Sequence, residues 1–169
     1  QLSEGRFDLG LGTQIRKIVE ERYGMPFDKP VNRLSEYIGA VRACFDSFGK
    51  RECVPFQGEF YNLSRLQDEF IPESLGDIRV PEIWLGAVGP KLSALAAEQC
   101  DGLITHPTNS HSLHLRENII PLIDSTSGVD QKRVFPVIAA PLTVVTDTAE
   151  ERERLIDEKK RMLAFLYST

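Results

Sequence analysis

Residues 81–107 read PEIWLGAVGPKLSALAAEQCDGLITHP, and this stretch constrains the fold more than any other. A short apolar run ends in a glycine-bounded turn, an amphipathic segment follows, and a second apolar run ends in Thr-His-Pro. Short apolar runs bounded by turn residues read as buried strands. Pro90 suits the first position of the intervening helix, where an N–H would have no partner. A helix inserted between two strands lets them pair in parallel.

The same unit recurs along the chain. Residues 6–12, RFDLGLG, alternate and stop at glycines, as a strand entering a tight turn does. TQIRKIVEERYG follows, with Ile15, Ile18 and Val19 at helical spacing and Gly24 as a stop. From Asn32 a longer helix is predicted, with Leu34, Tyr37, Ile38, Val41, Phe45 and Phe48 on one face. Residues 49–80 read as an irregular excursion marked by Pro55, Gly58, Pro72 and Gly76. Its aromatics, Phe56, Phe60, Tyr61 and Phe70, fit either satellite core or the wall of a substrate pocket. SLHLRENIIPLID predicts a helix complicated by Pro121, and Thr148 with Glu151 predicts a capping box opening a last helix to about Leu166. RVFPVIAAPLTVVTD, between them, is expected as a strand covered on both faces, with Pro141 marking a bulge or an edge. Trp84, inside a strand, is expected in the core. Four strand–helix units without literal repeats predict an α/β fold, a parallel sheet with right-handed crossovers, in a single domain over 1–169.

Composition narrows the partners. A net charge of -5 leaves no basic stripe to displace counterions from phosphates, so no nucleic-acid partner is expected. No run approaches the roughly 20 apolar residues of a membrane span, so no membrane partner is expected either. QLSEGRFD lacks the basic-then-apolar order of a signal peptide. Cys44, Cys53 and Cys100 are odd in number and lack metal-ligand spacing, which favours a reduced, cytoplasmic compartment.

In parallel α/β folds ligands sit beyond the C-terminal strand ends. Two of those ends are stripped of bulk here: Gly10-Leu11-Gly12-Thr13, and Gly86-Ala87-Val88-Gly89 before the helix at Pro90. Unpaired N–H groups at a helix start attract an anion, and glycines keep the approach open. Thr105 and His106 end the third strand and would add a hydroxyl and an imidazole at the same level. Glycines after strands also serve simply as turn residues. Gly10-x-Gly12 begins a dinucleotide fingerprint, but Ile15 stands where its third glycine belongs. His106, His111 and His114 have no acid at ligand spacing among them, so capping or exposed roles are expected and no metal site.

RFDLGLGTQ, YGMPFDKPVNRLSEYI, FQGEFYNL and the 81–107 stretch, in that order, resemble the luciferase-like monooxygenase superfamily, and within it the coenzyme F420-dependent oxidoreductases. The resemblance extends to the tail MLAFLYST. It implies a TIM-barrel oxidoreductase holding a flavin or deazaflavin in the barrel mouth, with coenzyme F420 expected and FMN the alternative, and a small organic substrate. It further implies that the carrier's phosphate meets Gly86, Ala87, Val88 and Gly89, that Thr105 and His106 end the sixth barrel strand, and that Gly12 and Thr13 lie near the ring system. Family catalytic groups come largely from the first three strands, which no position here matches, so no catalytic residue carries over. About four of eight strands are present: a partial barrel, without its N-terminal strands and its last strand. Open edges then predict association, either as a homodimer closing one ring or with a chain supplying the missing strands. A catalytically silent assembly subunit is the other reading.

Overall fold

The first strand of the sheet forms as β1, Leu9–Leu11, inside the 6–12 stretch. A computed structural model describes residues 3–71, 79–126 and 134–167. Pro72, Gly76 and Arg133, named above, lie outside the described residues. After β1 a π turn, Ile18–Arg22, precedes Gly24, whose φ of 64° turns the chain out of the helix. The longest helix, α1, spans Pro30–Lys50. Two short antiparallel strands follow, β2, Phe56–Gln57, and β3, Asn62–Leu63, so the excursion contains a hairpin. Then come β4, Ile83–Ala87, α2, Pro90–Gln99, and β5, Gly102–Thr105. Ser112–His114 (α3), a π turn at Leu115–Ile119 and α4, Ile120–Thr126, form the next helical segment. The chain ends with β6, Val137–Ile138, and α5, Ala149–Tyr167.

The larger sheet runs β1-β4-β5-β6, and every pairing is parallel. Register fixes what each face carries. Leu11, Leu85, Leu103 and Val137 share one row, and Ile83, Leu85 and Leu103 on that face are completely buried. They pack with Leu34 and Ile38 of α1, Leu95 and Ala96 of α2, and Ile119 and Ile123. Each such side chain contributes about 1.5–3 kcal/mol on burial.

The opposite face has no helix over it among the described residues. Gly10, Trp84 and Gly102 share one of its rows, and Gly86, Ile104 and Ile138 another. Trp84 is therefore half-buried on this open face and not in the core, its Nε1 donating to Glu82 at 3.1 Å. Gly102 makes the space: a Cβ there would collide with the indole.

The strand expected over 133–147 shrinks to β6, and it is not covered on both faces: Ile138 is 48% exposed and Val145 86%. Prolines explain the shortening. Pro136 has no N–H to give, though its carbonyl accepts from Leu103 N at 3.0 Å. The Ala140 N–H leaves the ladder for the hydroxyls of Thr105 and Ser110, both at 3.2 Å.

Candidate functional site

Gly89 is the N-cap of α2 and Pro90 its first residue. The first helical bond runs from Ser93 N to the Gly89 carbonyl at 3.1 Å, so the N–H groups of Lys91 and Leu92 precede the ladder. A Cβ built on Gly89 meets nothing within 4 Å, and Val88 is 52% exposed. The turn is uncrowded, and its free donors and partial positive charge suit a phosphate. Gly12 lies beside it: its Cβ would sit 3.8 Å from the Gly86 carbonyl, and a Cβ at Gly86 would sit 3.5 Å from the Leu11 carbonyl. Thus the two glycine turns meet at adjoining strand ends. Ala87 is buried, while Gly86 and Gly12 are exposed.

Thr105 stands differently from the expectation. It lies on the helix-covered face, 3% exposed, with its hydroxyl 2.6 Å from Ser110 Oγ and also facing Ile138 O and Ala140 N. That hydroxyl ties β5 to the segment after β6, and no bonding capacity points into the cleft. His106 is exposed at the strand end, but its Nδ1 faces Thr108 Oγ1 at 2.9 Å and accepts from Thr108 N at 3.3 Å. His111 caps in the same way, accepting from Leu113 N.

Asn109 was not legible as a site residue, yet it joins the turn after β4 to the end of β5. Its Nδ2 donates to the carbonyls of Ala87, at 3.1 Å, and Val88, at 3.2 Å, while its Oδ1 accepts from His106 N at 2.8 Å. At 4% exposure it is a buried, fully bonded amide. The available signal was an Asn soon after Pro107 in a strand-ending loop, a residue type that bonds nearby backbone in turns. A second missed feature is Glu36 of α1, whose carboxylate accepts from the N–H groups of Glu59, Phe60 and Tyr61 at 3.0, 2.8 and 3.4 Å. The Phe60 bond above all holds its pKa below the usual carboxylate value.

Gly12 and Thr13 also line a 260 Å³ cavity with Phe27, Arg33, Tyr37 and Tyr61, at the N-terminal end of α1. Among the described residues no cluster of His, Cys, Asp or Glu could hold a metal ion. No described helix is long and apolar enough to cross a membrane.

Four parallel strands with helices on one face, among the described residues, make an α/β sheet of the TIM-barrel type. The chain belongs to the luciferase-like monooxygenase family, whose model matches residues 1–168. It is 36% identical over 168 residues to an uncharacterized protein of Mycobacterium tuberculosis, covering 99% of this chain and 49% of that one. A second M. tuberculosis protein, named for a proposed coenzyme F420-dependent oxidoreductase activity, is 41% identical over 108 residues, covering 60% of this chain and 30% of that one. Among solved structures, an F420-dependent secondary alcohol dehydrogenase in complex with an F420-acetone adduct superposes with a TM-score of 0.62 at 20% identity, over 81% of this chain and 40% of that one. The chain spans about half the length of the first relative. The fold, α/β with four parallel strands of a TIM-barrel-type sheet, agrees with that neighbour.

Proposed function

We propose that this chain supplies the phosphate-binding side of a deazaflavin-dependent oxidoreductase, which moves a hydride between coenzyme F420 and a small organic substrate. The observation that carries it is the empty approach to Gly89 at the head of α2, where an added Cβ would meet nothing within 4 Å. When bound, the carrier supplies the two-electron chemistry. The protein's part is to hold its anionic end on the Lys91 and Leu92 amides, with Gly86, Ala87, Val88 and Gly89 forming the turn. Gly12 and Thr13 flank the adjoining strand end, and His106 stands exposed at the end of β5. Thr105 supports this arrangement from behind the strand. Titration of coenzyme F420, followed by its fluorescence, tests the assignment: Gly89→Val weakens binding at least about tenfold, the loss expected when anion contacts go. Unchanged binding would overturn it. FMN in the same assay separates the two carriers, the tighter ligand being the cofactor.

A second reading has its own observation. The open sheet face, with Trp84 half-buried and Ile138 48% exposed, is an apolar surface without a cover among the described residues. A chain with this face associates, either with a second copy or with a chain bringing the remaining strands, and a partner-bound but catalytically silent role fits it as well. Turnover of F420 with candidate alcohols by the assembled species separates the readings.

A further inference from the structure

Residues 15–28 join the end of β1 to the start of α1, and none of them is buried. Ile15, Tyr23 and Met25 are each about half exposed, so they do not root the segment in the core. Its bonds close on itself. Ile15 O accepts from Ile18 N and Val19 N, both at 3.1 Å, and Tyr23 N and Met25 N donate to Ile18 O and Val19 O at 3.2 and 3.1 Å. Arg16 pairs with Glu20 at 2.7 Å and stands over the Phe27 ring, 5.1 Å from its centroid. Among the described residues, no hydrogen bond or ion pair ties residues 16–28 to the rest of the chain.

Both ends of the segment are strained. Gln14 has a φ of 60° and Lys29 one of 43°, in the left-handed region that residues other than glycine rarely adopt. Lys29 also precedes Pro30, and a proline pushes the residue before it toward extended backbone. The exposed ion pair of Lys29 Nζ with Glu59, at 2.6 Å, is a weak tether. A self-contained segment between two joints that have easier backbone conformations to visit is built to move as a unit.

Beneath it lies the 260 Å³ cavity. Val19, Pro26 and Phe27 of the segment form one wall, and Leu11, Leu34, Tyr37 and Tyr61 form the other. Two charged residues border the space, and both have their charge engaged elsewhere. Asp28 is exposed to water, and the Arg33 guanidinium lies over Phe60, 4.4 Å from the ring centroid, and attracts the Glu36 carboxylate. An ion entering here would lose its water without gaining a buried partner. Apolar cavities of about 150 Å³ already accept benzene, and pockets for drug-sized ligands begin near roughly 300 Å³, so this one takes a single ring with a short arm.

We propose that residues 15–28 form a lid, hinged at Gln14 and Lys29, that opens to admit one uncharged, ring-sized apolar molecule to this cavity and closes over it. The inference goes beyond the cofactor assignment and stands without it, although Gly12 and Thr13 place the cavity beside the same strand end.

The test is 15N relaxation dispersion on the cofactor-free chain, alone and with benzyl alcohol or benzoate. The expected result is microsecond-to-millisecond exchange with one rate at residues 14–29, and none at β4, α2 and β5. Benzyl alcohol should quench that exchange and shift Gly12, Thr13 and Tyr61, and benzoate should bind at least about tenfold more weakly. Gln14→Val puts a β-branched side chain where φ is positive, so it should enlarge the exchange and weaken benzyl alcohol at least about threefold, leaving the β4 and α2 amides unmoved. Exchange absent from 14–29 or shared at the same rate by β4 and α2, benzoate binding as tightly as benzyl alcohol, or no binding of benzyl alcohol would each overturn the proposal. The unaltered protein decides the matter even if Gln14→Val fails to fold.

Discussion

Asn109 shows how one amide can set the geometry of a site without touching a ligand. Its two donors hold the turn after β4 and its oxygen holds the end of β5, so truncation would strand the carbonyls of Ala87, buried, and Val88, part-buried, and the His106 N–H. Asn109→Ala should cost about 1–3 kcal/mol, read as a lowered melting temperature, and should weaken anion binding at Gly89 without altering any residue there. Asn109→Asp should be worse, since it sets an acceptor against carbonyl oxygens. Cys100 offers a separate residue-scale check. Burial pushes its thiol up to about 11, so at pH 8 it stays protonated and unreactive. Iodoacetamide labelling read by mass spectrometry should modify the half-buried Cys44 and Cys53 well before Cys100. Early labelling of Cys100 would mean that the α2–β5 junction opens.

Among the elements, the β2–β3 hairpin depends most on a single contact. Glu36 reaches across from α1 to grip its three amides, and a Cβ at Gly58 would displace that carboxylate from them. The folded pKa of Glu36 is depressed, so its contribution is present above the unfolded value and is lost as pH falls through the folded one. The protection of Phe60 and Tyr61 against hydrogen exchange, relative to the unfolded chain at the same pH, should therefore fall below the ordinary carboxylate range, and Glu36→Gln should show that lower protection already at neutral pH. Elements governed by local chemistry were legible in the sequence. Gly89-Pro90 marked the start of α2, and Thr148 caps α5 by accepting from Glu151 N at 3.2 Å. Elements governed by distant contacts were not. Glu36 lies 24 residues before Phe60, so nothing local announces the hairpin. Pro121 signalled trouble without its form: lacking an N–H, it cannot continue the preceding ladder, and Ile120 N closes a wide π turn onto Leu115 O. The apolar run at 133–147 misled because hydrophobicity reports a wish to be buried, while its prolines limit pairing to Val137 and Ile138.

At the scale of the molecule, a parallel sheet normally has both faces covered, whereas among the described residues this one has a helix-covered face and an open one. Gly10, Trp84 and Gly102 form a row on the open side that leaves the indole between two glycines. Gly102→Ala should displace it and destabilise the chain by about 1–3 kcal/mol, measured by chemical denaturation. Light scattering on the purified 19.0 kDa chain should return a mass above the monomer's, since β1 and β6 are edges and the open face is apolar. A well-behaved monomer would exclude self-association. Parallel pairing could be read from the alternation of short apolar runs with helical segments, and both glycine turns from small residues at strand ends, a local requirement. The inward tie of Thr105 could not, because side-chain direction at a strand end depends on register with β6. The most direct test of the account follows the backbone amides of the 15N-labelled chain during titration with coenzyme F420. The account predicts the largest shifts at Gly89, Lys91 and Leu92; saturable binding that leaves those three amides unmoved would contradict it.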